Sequence, residues 1–261
     1  MTVIVGAVVL AVTAGGAALA ATAPPGQSAP PGQSAPPGQS TPPGQSAPDT
    51  SVPGSGATTA SLEVEGGTTR LAVRAANLGG THGTLLRAAT PGGSPGNAAR
   101  PARVQVMPAR PGKPEAVLLT LGPGGDGSGD DTVTLTLNSA VTWWLDFAGG
   151  TQRTDLALRA GHVAALAFTA GSQVIDAALP RPRGTVPVVM TGGASQLLLR
   201  LPAGVPVRLT AEGGAGNVSL DGSAETGVGG GTVFASPGWS SASTRFDVTA
   251  AAGAATISVT R

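Results

Sequence analysis

Side chains able to do acid–base or nucleophilic chemistry are few in this 261-residue chain, and they do not gather into a motif. His82 and His162 are the only histidines. Gly238-Trp239-Ser240-Ser241-Ala242 approximates the G-x-S-x-G elbow, but Ala stands at the last Gly and no histidine follows it, contrary to the hydrolase order. The 14 carboxylates are scattered, so no acid pair for glycoside hydrolysis stands out. Cys is absent, which excludes disulfides, thiolate zinc sites and thiol nucleophiles. The expectation is a protein with no catalytic residues and no organic cofactor, with a hydrolase the weakest reading.

Two features carry other chemistry. Asp126-Gly127-Ser128-Gly129-Asp130-Asp131-Thr132-Val133 matches the calcium nonapeptide G-G-x-G-x-D-x-U except for Asp126 at the first Gly. Asp126, Asp130 and Asp131 would supply hard carboxylate ligands, so calcium is the one metal implied. In such repeats calcium lies between tandem copies and here one copy stands alone, so a plain polar turn competes. The second feature is Trp143-Trp144. An adjacent pair in a strand sends one ring to each face. Trp143 is in frame for the core, and Trp144 points outward, where an indole stacks on a sugar ring or seats at an interface. Trp239 is a second interaction candidate, or else part of a 221–244 loop that covers Trp144.

What must position these residues is an internal repeat. Counting from Gly193, apolar residues precede it at Val186, Val188 and Met190 and follow it at Leu197, Leu199 and Leu201. Spacing of two puts them on one face of an extended chain, giving strand, Gly turn, strand. The frame recurs on Gly150 (Trp143, Leu145, Phe147; Leu156, Leu158), on Gly171 (Ala164, Leu166, Phe168; Ile175, Ala177, Leu179) and on Gly214 (Val207, Leu209, Ala211; Val218, Leu220). Those centres are 21, 22 and 21 residues apart. It also fits Gly67 and Gly253, the latter with Phe246, Val248, Ala250, Ile257 and Val259. Units of about 21 residues cannot bury an apolar face alone and must stack on one another. Stacked in chain order, Met190 would lie beside Phe168 and Leu209, and Leu199 beside Ala177 and Leu220. The predicted fold is all-β, a β-solenoid-like stack, with a β-sandwich as the alternative. The repeat domain spans 60–261, regular over 117–222 and irregular over 74–116, with a surface loop near 90–102 and a second break at 221–244. Pro187 and Pro206 fall early in their strands, where Pro is best tolerated. Asp155 and Asp176 take outward positions beside Arg residues.

Upstream, residues 1–23 are uncharged and apolar, long enough for a transmembrane anchor, while Ala18-Leu19-Ala20 also suits signal-peptide cleavage. No Lys or Arg appears before Arg70, a poor cytoplasmic flank, so the bulk of the chain is expected outside the membrane. Residues 24–59 form a linker, opening with four Pro-Pro-Gly-Gln-Ser-Ala-type hexamers that lack large apolar groups and favour polyproline II. Formal net charge is +1, which gives no field to gather nucleic acid. With 41 Gly and 23 Pro, long helices are disfavoured outside the apolar start.

Apolar strand, Gly-Gly turn, apolar strand ending Leu201-Pro202, then Gly204-Val205-Pro206-Val207-Arg208-Leu209, resembles the toastrack-type β-repeat domains of bacterial cell-envelope proteins, LiaF-like or adhesin-like, over roughly 117–261 and most sharply 143–222. The resemblance implies a membrane-tethered extracytoplasmic domain for sensing or protein interaction, with no catalytic residues to carry over. The primary reading is therefore a non-catalytic envelope protein at the cell membrane, or secreted after signal cleavage, whose partners are the membrane, envelope proteins or wall glycan. The alternative is a glycan-binding module built on Trp144 and neighbouring Arg.

Overall fold

The computed structural model describes residues 50–89, 103–109, 114–121 and 132–261. The apolar segment 1–23, the hexamer repeats, the loop near 90–102 and Asp126, Asp130 and Asp131 lie outside them. In chain order the strands are β1 (Thr50–Pro53), β2 (Thr59–Glu65), β3 (Thr68–Ala76), β4 (Thr84–Ala89), β5 (Arg103–Met107), β6 (Glu115–Thr120) and β7 (Thr132–Asn138). Then come β8 (Thr142–Phe147), β9 (Thr151–Ala157), β10 (His162–Phe168), β11 (Ser172–Ala178), β12 (Thr185–Met190) and β13 (Ala194–Arg200). The last are β14 (Val207–Ala211), β15 (Ala215–Leu220), β16 (Ser223–Val228), β17 (Thr232–Ala235), β18 (Arg245–Ala250) and β19 (Ala254–Thr260). β1 shows that ordered structure begins ahead of the expected start at Ala60.

The strands make two open mixed sheets. Sheet A has the order β1-β4-β7-β3-β9-β11-β13-β19-β15-β16, and sheet B the order β17-β14-β18-β12-β10-β8-β2-β6-β5. Each repeat unit is a coil that gives its first strand to sheet B and its second to sheet A. Coils follow the same order in both sheets: β6–β7, β2–β3, β8–β9, β10–β11, β12–β13, β18–β19, β14–β15. Within this stack all pairings are parallel, because the other sheet's strand serves as the crossover that a parallel pair requires.

Stacking in chain order therefore holds only over β8–β13. Met190 lies beside Phe168 as expected, but its other partner is Ala250, not Leu209. Leu199 lies beside Ala177 and Val259, and Leu220 pairs with the far side of Val259. The C-terminal coil β18–β19 has slipped between β12–β13 and β14–β15, and β2–β3 likewise sits between β6–β7 and β8–β9.

The apolar rungs fill the space between the sheets. Leu62, Leu145, Leu166, Val188, Val248 and Leu209 form one inner row of sheet B, each at most 2% exposed. Phe147 and Phe168 stack in the next row with ring centroids 5.5 Å apart. Full burial of such a side chain stabilises by about 1.5–3 kcal/mol. At the corners, backbone approaches backbone. A Cβ on Gly149 would collide with the Gly66 carbonyl, and one on Gly192 with that of Ala170. Thr68 N–H donates to Gly150 O at 3.2 Å, Thr151 to Gly171 O at 3.2 Å and Ser172 to Gly193 O at 3.0 Å, so the corners form their own ladder.

Two local readings change. β10 has a register break between Val163 and Ala165, which turns Val163 inward beside Trp143 and leaves Ala164 half-buried, where the frame had put Ala164 in the core. Pro187 sits in mid-strand, and the β10–β12 ladder begins only at Leu166 with Val188. The missing Pro donor and the bulge thus fall at one place in the sheet.

The period-breaking stretches, together with β1, supply antiparallel caps. β4 pairs with β7 and β1 with β4 at one end of sheet A, while β5 pairs with β6 in sheet B. At the other end β16 pairs with β15 and β17 with β14. Asp221 (φ 52°) and Gly222 (φ 86°) close the β15–β16 hairpin as a two-residue turn with both φ positive, the geometry for which Asp-Gly is suited. Asn138, fully buried, ties the first cap down. Its side-chain amide donates to Gly80 O (2.7 Å) and Thr84 O (2.8 Å), and its backbone carbonyl accepts from Trp143 Nε1 (3.0 Å).

Candidate functional site

The interior is mostly apolar rungs, with Glu115, Asn138 and Thr154 among the few buried polar side chains, and most of the charged groups lie on the outer faces. On sheet A, Asp155 and Asp176 are register partners on adjacent strands and would repel. Arg side chains interleave them. Arg70 binds Asp155 through Nε (2.9 Å) and a terminal nitrogen (2.6 Å); Arg153 reaches Asp155 (2.8 Å) and Asp176 (3.6 Å); Arg200 bonds Asp176. The two carboxylates are thus partners of arginines, as their outward positions implied, rather than a catalytic dyad. The more exposed Arg70–Asp155 pair stabilises by about 0–1 kcal/mol, while Asp176 is buried beneath its arginines.

On sheet B the outer face is different in kind. Trp144 is 39% exposed, with Ser61 and Ala165 as its register neighbours. One row along lie Glu63, Asp146 and Ala167. The Glu63 carboxyl titrates above its usual 4.5, because burial disfavours the charged form and Glu65 and Asp146 add like charge. Asp146 accepts the Thr169 hydroxyl at 3.0 Å. Among the described residues no ion pair reaches Glu63, Glu65 or Asp146. On one side of Trp144 the next row is thus carboxylates and a small side chain; on the other it is Thr142 and His162, with the Arg183 guanidinium on His162.

The raised Glu63 pKa has a definite sign. The folded protein holds the proton more readily than the unfolded chain, so stability falls as pH rises from about 4.5 through the raised value. Glu63→Gln is expected to raise Tm at pH 7 and to flatten the Tm–pH curve over that window. A variant with an unchanged curve would rule out carboxylate crowding at this position.

Trp239 forms a clasp within the fold. Its ring lies between the guanidinium groups of Arg208 (4.0 Å) and Arg245 (4.3 Å), and its indole N–H donates to Phe246 O at 2.8 Å. Arg208 is fixed by a bidentate bond to Asp247 (2.9 and 2.6 Å), which holds its pKa above the usual value, and Arg245 donates to Trp239 O at 2.9 Å. The clasp spans β14 and β18, with β12 and β10 between it and β8, so Trp239 does not cover Trp144. Trp239→Ala is expected to cost about 2–3 kcal/mol, below the cost at a fully buried site. Trp144→Ala should stay within about 0.5 kcal/mol. Urea unfolding of both variants measures the difference, and equal costs would refute this division of roles.

The candidate elbow at 238–242 forms a 3₁₀ turn over Trp239–Ser241, with the Ser241 hydroxyl donating to Gly238 O at 3.1 Å. His162 Nε2 lies 2.9 Å from an Arg183 guanidinium nitrogen, and burial followed by the Arg183 charge lowers its pKa. No hydrogen bond joins Ser240 or Ser241 to a histidine among the described residues. That arrangement does not assemble an acyl-transfer site.

No protein-family model matches the sequence, and no curated protein does either. One solved structure is similar: a "putative cell adhesion protein" from Clostridium sporogenes, with a TM-score of 0.59 and 17% identity over 81% of this chain and 98% of that one. At that identity the likeness is one of fold. It agrees with an all-β repeat domain and reaches no individual side chain.

The carboxylate group beside Trp144 was legible but unread. Four residues before each centre stand Glu63, Asp146 and Ala167, and six before stand Ser61, Trp144 and Ala165, which are the registers observed. Among the described residues no helix is long and apolar enough to cross a membrane.

Proposed function

We propose that this chain is a non-catalytic interaction domain of the cell envelope, held outside the membrane on its apolar N-terminal segment and Pro-rich linker. The observation that carries this reading is the outer face of sheet B, where exposed Trp144 and Glu63 stand with the half-buried Glu65 and Asp146, three carboxylates that no ion pair reaches among the described residues, on a stack with a largely apolar interior. Such a face on a rigid scaffold suits recognition of another surface rather than turnover of a small molecule. The fold likeness to a protein described in terms of cell adhesion supports the same class of role.

The test is fractionation with protease shaving of intact cells. The domain should be cleaved from outside while membrane-associated, and the mass of the mature chain then separates an anchor from a cleaved signal. A protein recovered intact from the cytosol would overturn the proposal. A second reading, wall-glycan binding, rests on the half-exposed Trp144 ring. It requires co-sedimentation with purified wall that Trp144→Ala abolishes.

A further inference from the structure

The two sheets end together at the β14–β15 coil, and there each is flanked by one short antiparallel strand, β16 on sheet A and β17 on sheet B. Ser223 to Gly227 are exposed along β16, and Val233 on β17 is 55% exposed. An edge strand presents a row of open N–H and C=O groups that will pair with another strand unless charge, Pro or a bulge blunts it. β16 carries one charge, Glu225, and β17 carries none; neither contains Pro. The opposite end of the stack is guarded: β1 ends in Pro53 with a register break at Val52/Pro53, and β5 opens on Arg103 and runs into Pro108.

We propose that the β16/β17 end is a self-association surface, on which a second copy of this chain docks by its own β16/β17 end. The symmetry argues for that occupant over an extended peptide. A two-fold axis normal to the sheets reverses strand direction within each sheet plane. One operation therefore sets β16 antiparallel to β16 of the second copy and β17 antiparallel to its counterpart, and both sheets run on through the interface. A peptide would satisfy one edge only and leave the other, with Val228 and the half-buried Phe234 behind it, at the open end of the core. A two-fold normal to the sheet sets one residue of each edge strand opposite its own equivalent, and charge permits that pairing. Centred on Thr226, it places Glu225 opposite Gly227 of the second copy rather than opposite another Glu225. Centred on Val233, the β17 contact sets Val233 against Val233 and is apolar. Such an interface is isologous and closes at two copies.

The test uses the full chain in sedimentation velocity from low micromolar to about 200 μM, with hydrogen exchange at the two extremes. A monomer–dimer equilibrium is expected, with amides of 223–228 and 232–235 gaining protection at high concentration. Val233→Lys and Val233→Glu, whose side chains are exposed in the monomer, should each weaken association at least tenfold without moving the thermal transition. An equimolar mixture of the two should restore it. A wild-type chain that stays monomeric, or a dimer in which those amides exchange equally at both concentrations, would overturn the proposal. So would a dimer that both Val233 variants leave intact. The surface role proposed above does not depend on this outcome.

Discussion

Leu199→Asp is expected to leave no folded protein at 37 °C, whereas Gln196→Asp on the same strand should unfold within about 0.5 kcal/mol of wild type. Leu199 is fully buried in β13, third in an inner row between Ala177 and Val259, with no polar group in register to receive a carboxylate. An uncompensated ion there costs several kcal/mol even after relaxation, against a total stability of about 5–15 kcal/mol for an ordinary domain. Gln196 belongs to the alternate, solvent-facing set beside Val174 and Thr256, where a charge keeps its hydration. Thermal and urea unfolding followed by circular dichroism report both. Similar transitions for the two variants would mean that residues three apart on this strand do not face opposite sides of a sheet, and the stacked rungs would have to be abandoned.

The inside of each coil could be read from spacing because alternation is a property of one strand and needs no partner. Leu62, Val64, Val188, Met190, Leu197, Leu199, Val248 and Ile257 all sit where the glycine-centred frame puts them. The order of the coils could not be read. Every coil carries the same register of apolar residues, so any rung fits against any other, and the sequence holds no preference between neighbours. The connections only bound it. Where β9 leads to β10 or β11 to β12 the next coil lies adjacent, whereas the equally short β7–β8 and β13–β14 links each step over one coil, leaving a gap that β2–β3 and β18–β19 fill. Only the two period-breaking stretches, 74–116 and 221–244, are long enough for the chain to build cap strands and return elsewhere in the stack. Both displacements, of β2–β3 and of β18–β19, occur at those stretches. The Val163 bulge is a local exception that meets Pro187, whereas the Trp239 contacts were not legible because Arg208 and Arg245 become neighbours only when β18 lies beside β14.

That displacement sets the second large effect. Removing residues 245–261 is expected to abolish cooperative unfolding, not to shorten the stack by one unit. In a solenoid that follows chain order, the last repeat has a single interface, and its loss costs little more than that interface. Here β18 is paired with β12 on one side and β14 on the other, and β19 with β13 and β15. Deletion takes Phe246, Val248, Ile257 and Val259 out of the core, each stabilising by about 1.5–3 kcal/mol, so the loss alone approaches the stability of a whole domain. It also strips Trp239 of Arg245 and Asp221 of Arg261, whose guanidinium sits 2.9 Å from that carboxylate and 2.6 Å from the Ser236 hydroxyl. The β14–β17 end would then have no coil to join it to β12–β13 except by closing a gap one strand wide in both sheets. The truncated chain should bind a hydrophobic dye and melt without a sharp transition, while Pro53→Ala, at the outermost strand of sheet A, should melt as wild type does. A truncated protein with a sharp transition would mean that the gap closes without cost, and that β14–β15 can pack on β12–β13 as the repeat alone suggested.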